Sequence, residues 1–183
     1  MSATGLSHRI ARRDDIPALR TLMDAAIREL QRPFLSPAEI EASVAVMGLD
    51  SQLIDDGTYF VATCGGEVAG CGGWSRRATL FGGDHSAGRD AALLDPAADA
   101  AKVRAMYTSP AFARRGVGRT ILVLCERAAA AEGFGRVELG ATLAGLPLYL
   151  ACGYREVGRI AARTPSGIAV PIVRMEKPLR PPP

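Results

Sequence analysis

The chain has 183 residues, with 22 lysines and arginines against 19 aspartates and glutamates, a formal charge of +3. A chain of this length forms one domain and buries about 70% of its unfolded surface, so its core needs no staples. An apolar content of 48% excludes general disorder, and so small a charge argues against nucleic acid, which calls for a strong basic patch. The longest apolar stretch, Leu143 to Tyr154, is broken by Gly145, Pro147 and Gly153 and falls short of the ~20 residues of a membrane span. Residues 1–15 carry no apolar run of the kind a secretory signal needs. The expectation is a cytoplasmic protein, with no membrane and no nucleic acid among its partners. Cys64, Cys71, Cys125 and Cys152 form no CxxC, and His8 and His85 are the two histidines. No zinc framework results, no metal is expected, and the cysteines read as buried free thiols.

In chain order, residues 7–11 form a short strand candidate. Asp14 can cap a helix in which Ile16, Leu19, Leu22, Met23, Ala26, Ile27 and Leu30 recur at helical spacing. Ser36-Pro37-Ala38-Glu39 reads as a capping box opening a second helix to about Met47. Residues 58–64 and 67–74 form a hairpin about Gly65-Gly66, and Gly72-Gly73 in its second arm suggests a bulge or a close backbone approach. Residues 76–101 are a long connection without periodicity, of the kind that is functional or disordered in compact domains. A strand over 102–107 follows, then a glycine-bearing turn and a largely buried helix over 120–132, with Arg119, Glu126 and Arg127 on its outward stripe. The remaining elements are a strand over 136–139, a short helix over 144–152, and strands near 155–160 and 170–177. Hairpin first, then alternation of strand and helix, makes the class mixed α/β. One domain spans residues 1–177, and the proline-rich residues 178–183 read as a loosely ordered tail.

The turn Arg114-Arg115-Gly116-Val117-Gly118-Arg119 stands between a strand and a helix. Free amides and the dipole at a helix N-terminus favour an anion. Glycines admit a phosphate to the backbone, and arginines add charge-assisted bonds. The hexapeptide fits a diphosphate site, or an ordinary tight turn with solvated arginines. It is not a P-loop, because Arg119-Thr120 follows Gly118, nor a dinucleotide fingerprint, because Ile121 stands where the third glycine belongs.

Tyr107 to Arg119 resembles the acetyl-CoA signature of the GNAT superfamily of N-acetyltransferases. Pro147-Leu148-Tyr149-Leu150-Ala151-Cys152-Gly153-Tyr154-Arg155 resembles the family's second signature, Tyr-x-x-x-Gly-Phe/Tyr, and residues 9–30 resemble its opening strand and helix. The resemblance covers about residues 7–177. Ala113 departs from the usual Arg or Gln at the head of the loop, and Thr142 or Leu143 falls where many members carry Asn. The resemblance implies a single-domain acyl-CoA N-acyltransferase fold, with a mixed, largely antiparallel sheet of about six to seven strands flanked by helices. It implies acetyl-CoA as cosubstrate and direct transfer of acetyl to a primary amine, on a small molecule or a protein N-terminus.

By the same resemblance, Met106, Tyr107 and Thr108 offer backbone to the pantetheine arm and the acetyl oxygen. Arg114, Arg115, Gly116, Val117, Gly118 and Arg119 hold the diphosphate. Tyr149 matches the general acid toward the thiolate, and could instead be a packing residue. Glu138, within one residue of a glutamate base in some members, could be the base with a raised pKa or a solvated strand residue. His85 is a weaker titratable candidate. Trp74 could line an acceptor cleft or simply pack, and the connection 76–101 could be a lid or an acceptor-binding element. A non-catalytic acyl-CoA-binding or interaction module on the same fold stays open as the alternative, and the sequence is compatible with a homodimer.

Overall fold

The computed structural model describes residues 5–179. The chain opens with β1 (Leu6–Ile10) and passes through a tight turn into α1 (Ile16–Leu30). The apolar spacing read from the sequence is the buried face of α1: Leu19, Leu22, Met23, Ala26 and Ile27. At α2 (Pro37–Ser43) the capping box forms, with the Glu39 amide donating to Ser36 Oγ at 3.3 Å and the Ser36 amide to Glu39 Oε2 at 2.8 Å. The helix stops at Ser43, not at Met47; Val44 to Val46 continue only as tight turns. A five-residue helix that periodicity did not announce, α3 (Ser51–Asp55), follows.

The hairpin is β2 (Tyr59–Cys64) and β3 (Glu67–Ser75). Next come β4 (Ala101–Thr108), α4 (Val117–Ala131), β5 (Arg136–Ala141), α5 (Leu146–Ala151), β6 (Arg155–Arg163) and β7 (Ala169–Pro178). The seven strands form one sheet in the order β1-β2-β3-β4-β5-β7-β6. Neighbours are antiparallel except β4 and β5, which are parallel and pair only at Ala101–Val137 and Lys102–Glu138. Beyond that point the two strands part. Pro178 belongs to β7, and the Leu179 amide donates to the Gly135 carbonyl at 2.9 Å. The first two residues of the expected loose tail are therefore tied to the sheet, and residues 180–183 lie outside the described residues.

One face of the sheet carries α4, whose Val117, Ile121, Leu122, Cys125 and Ala129 pack with Trp74, Phe134, Val137 and Met175. The other face carries α1 and α3, with Leu53, Tyr59, Val61 and Tyr107 in the core between them. Glu126 is not on the outward stripe of α4, as the spacing suggested; its carboxylate accepts from Lys177 at 2.8 Å. The connection between β3 and β4 has no regular element but is firmly held. Arg77 pairs with Asp56 at 2.8 Å, Arg89 pairs with Asp50 at 2.8 Å, and Arg77 bridges to Leu93.

Candidate active site

The parting of β4 and β5 opens a cleft of about 640 Å³, its mouth included. It is lined by Val103 to Tyr107 of β4 and by Gly140, Thr142, Gly145 and Tyr149. Val46, Met47 and Gly48 complete the lining, with Leu80, Phe81 and Gly82 from the long connection and Ile172 from β7, the last close against Gly140. The connection thus contributes to the cleft, as the sequence suggested, but as a pinned wall. Among the described residues lining it, Arg104 is the only charged one and none is a carboxylate or imidazole.

β4 is irregular where it lines the cleft. Cys71 faces Tyr107 and Gly73 faces Arg104, so β4 fits one more residue than β3 into that interval. The extra residue is Ala105, held at φ +51°, a left-handed conformation uncommon for a residue with a Cβ. The Gly72-Gly73 pair of the sequence sits opposite. A Cβ on Gly72 would collide with Met106 and Ile121, and one on Gly73 with the Thr58 carbonyl and the Tyr59 ring. Tyr107 sends its side chain toward the loop after α2, where its hydroxyl accepts the Gly48 amide at 2.7 Å and so ties one lining residue of the cleft to another.

At the end of β4 the chain enters α4 three residues earlier than the sequence suggested. Gly116, at φ +84°, is the residue before the helix, and Val117, Gly118 and Arg119 form its first turn. The first intrahelical bond runs from the Thr120 amide to the Gly116 carbonyl, and no side chain caps the terminus. The amides of residues 117–119 therefore lack helical partners, the arrangement that binds anions. Arg114, itself at φ +63°, and Arg115 are exposed beside it, with the Arg115 guanidinium 5.1 Å from the Phe112 ring centre. Arg119 is also exposed and reaches the Ala151 carbonyl at 3.4 Å. The two glycines differ in purpose. Gly116 has open space around it and is favoured by its backbone; Gly118 is favoured by packing, since a Cβ there would stand 2.8 Å from Leu148 Cδ2 of α5 and push that side chain aside. A terminus with free amides, open approach and three arginines fits the phosphates of a CoA thioester.

Tyr149 lies on α5 with its ring packed edge-on against Tyr154, centres 5.7 Å apart, and it borders the cleft. Burial raises its phenol pKa above the ordinary value. Glu138 is placed differently from the expectation. Its carboxylate is clamped between Lys102 Nζ, at 2.6 Å, and the Arg174 guanidinium, whose Nε lies at 3.0 Å. Burial pushes its pKa up, but the hydrogen bonds and charges of the two cations outweigh it, and the pKa is lowered. It is neither the solvated residue nor the raised carboxyl considered from the sequence, and it does not border the cleft. His85 is exposed, and its Nε2 meets the Val44 carbonyl at 2.7 Å, fastening the connection to the end of α2. Trp74 is 2% exposed and stacks edge-on with Phe134 in the core, away from the cleft.

Two features escaped sequence reading. One is a buried ion cluster: Asp50, fully buried, receives Arg104 at 2.5 Å and Arg89 at 2.8 Å, while Arg104 also donates to the Gly82 carbonyl at 2.7 Å. In sequence these are single charges scattered over 54 positions of separation, with nothing to join them. The other is Tyr59, whose hydroxyl donates to the Ala105 carbonyl at 2.7 Å.

The chain superposes on a GCN5-related N-acetyltransferase from Rhodopseudomonas palustris with a TM-score of 0.72, at 19% identity, over 98% of this chain and 99% of that one. PaiA N-acetyltransferase from Thermoplasma acidophilum, solved in complex with coenzyme A, gives 0.64 at 12% identity, over 96% and 99%. A ribosomal-protein-alanine N-acetyltransferase from Brucella melitensis gives 0.62 at 18% identity, over 94% and 99%. No match was found among curated proteins. The Acetyltransferase (GNAT) family model matches residues 23–154, and the chain belongs to that family. It is a transferase, and acetyl-CoA is the cosubstrate of such enzymes.

Proposed function

We propose that this protein transfers acetyl from acetyl-CoA to a primary amine, on a small molecule or a protein N-terminus, by direct attack in the cleft between β4 and β5. The observation that carries the reading is the conjunction of an uncapped α4 N-terminus following β4 with a cleft lined by β4, by Tyr149 and by the apolar Val46, Met47, Leu80 and Phe81. The α4 amides, with Arg114, Arg115 and Arg119, take the diphosphate. The backbone of Met106 to Thr108 takes the pantetheine arm. The amine nitrogen attacks the thioester carbonyl carbon, the C–N bond forms and the C–S bond breaks. The departing sulfur takes a proton from the Tyr149 phenol, which is regained from solvent. The amine's surplus proton leaves to water at the open mouth, since no carboxylate or imidazole borders the cleft among the described residues. Glu138, clamped by Lys102 and Arg174, belongs to the scaffold in this reading. Its ion pairs hold β4, β5 and β7 together where the split begins. The four free cysteines suit the reducing cytoplasm.

The test is an amine panel with detection of released CoA thiol. Acetyl-CoA binding with amine-dependent thiol release is the expected result. Binding without turnover across monoamines, polyamines and alanine-terminated peptides would favour a binding module. Absence of acetyl-CoA binding would overturn the reading.

A further inference from the structure

The Ala105–Met106 peptide has unusual surroundings. The register leaves both residues unpaired with β3, and β5 has already parted from β4 at this height. The Ala105 carbonyl is taken by the Tyr59 hydroxyl at 2.7 Å. Tyr59 is fully buried on the face covered by α1 and α3. The peptide is trans, so its N–H points opposite to its C=O. With the carbonyl turned to Tyr59, the Met106 amide points the opposite way, in the stretch of β4 where Ala105 and Met106 border the cleft.

An Ala at φ +51° costs backbone energy and persists only where its surroundings fix it. Without a partner the carbonyl would be a buried acceptor left unsatisfied, and the peptide would gain by rotating. The Tyr59 hydroxyl removes that incentive. The phenol's own position is fixed in turn. Its ring fills the space that a side chain on Gly73 would occupy, and Tyr59 sits directly across the ladder from Gly73.

We infer that Tyr59 is a positioning residue for acyl activation: by holding the Ala105 carbonyl, its hydroxyl aims the Met106 amide at the thioester carbonyl oxygen. The inference rests on the acetyl-transfer reading above. Preorganised donors of this kind act because they need no reorganisation as charge develops. A hydrogen bond accepted by the carbonyl of a peptide also polarises that peptide, making its N–H a better donor. Tyr59 touches no reacting atom; it acts through the peptide.

The test needs no acceptor amine, because CoA lacks the carbonyl that the amide would meet. Acetyl-CoA and CoA are titrated by calorimetry into wild type, Tyr59→Phe and Thr58→Val. The last variant removes another buried hydroxyl, one residue before Tyr59, that holds the Leu53 carbonyl and not the Ala105 carbonyl. The expected result is that wild type prefers acetyl-CoA by about fivefold, one hydrogen bond's net worth. Tyr59→Phe should lose that preference with CoA affinity unchanged, and Thr58→Val should keep it. Isotope-edited infrared spectra of bound [1-¹³C]acetyl-CoA give the second readout. The carbonyl stretch should fall on binding to wild type and return toward its free value in Tyr59→Phe. If Tyr59→Phe does not fold, site-specific 3-fluorotyrosine at position 59, a more acidic donor, should lower the stretch further than wild type. Equal loss of affinity for both ligands, or an unmoved carbonyl stretch, would overturn the inference. Failure of wild type to bind either ligand would instead overturn the acetyl-transfer reading itself.

Discussion

Asp50→Asn isolates the buried ion cluster with almost no change of shape. Asp50 is fully buried, and the two cations it serves differ sharply: the Arg104 side chain is 3% exposed, the Arg89 side chain 24%. Arg89 can turn toward water when its partner is neutralised. Arg104 cannot, since β4 and the Gly82 carbonyl hold it in place. The variant leaves a buried guanidinium without a counter-charge, and breaking such a pair costs about 3–5 kcal/mol. The retained amide oxygen can still accept one hydrogen bond, which puts the expectation at the lower end, about 3 kcal/mol. For a domain of this size that lowers Tm by roughly 6–12 °C. Urea denaturation of the whole chain measures it directly. Arg89→Met should cost far less, under about 1 kcal/mol, as for a partly solvated pair. Arg104→Met added to Asp50→Asn should recover stability, because it removes the stranded charge. A loss below about 1 kcal/mol for Asp50→Asn, or strict additivity in the double variant, would refute the claim that the cluster acts as one unit.

Tyr149→Phe should lower turnover about 100-fold while the Kd for acetyl-CoA holds, the signature of a lost proton donor; and because burial raises the phenol pKa above the usual value, the wild-type pH–rate profile should show no Tyr149 limb below about pH 10. Gly116→Ala forces an L-residue to φ +84° in open space, a backbone cost of about 1–2 kcal/mol, and calorimetry should show weaker acetyl-CoA binding as the first turn of α4 shifts. Glu138 has a folded-state pKa below its ordinary 4.5, so the folded state binds its proton more weakly than the unfolded one. Its stabilisation is complete well above pH 4.5 and declines as the pH falls through the lowered folded value. The stability gap between wild type and Glu138→Gln should therefore narrow on titration from about pH 6 to pH 3, and a gap that widens would reverse the sign of the argument.

Much of the fold was legible because it is written in short periods. Apolar residues at helical spacing in α1 and the Ser36–Glu39 box each act within a few residues, and both form as read. What was not legible acts across the sheet. Ala105 carries no mark of a left-handed residue; its conformation comes from fitting one extra residue opposite the interval from Cys71 to Gly73. Tyr59 reads as a β-former, and only the register reveals that its hydroxyl lies under β4. Glu138 looked like a free carboxylate because Lys102 and Arg174 reach it from the strands on either side of β5. Gly118 was read for phosphate approach, while its neighbour in space is Leu148, thirty residues on. The loop-and-glycine pattern marked the turn from strand to helix and was silent about which glycine did what.

Under the proposed reaction, the split in the sheet lets one cleft serve both cosubstrate and acceptor. After Lys102 and Glu138, β4 keeps its partner on the β3 side and β5 keeps its partner on the β7 side. Each is left with an inner edge whose amides and carbonyls have lost a strand. Such edges are costly when buried and seek a partner able to donate and accept in line. The pantetheine arm of CoA carries two amides in an extended chain, so it can stand where a strand is missing without needing side-chain recognition. The bulge at Ala105 interrupts the β4 edge and leaves one peptide unpaired with β3. In the proposed reading the regular edge would hold the arm and the irregular peptide would meet the acyl group.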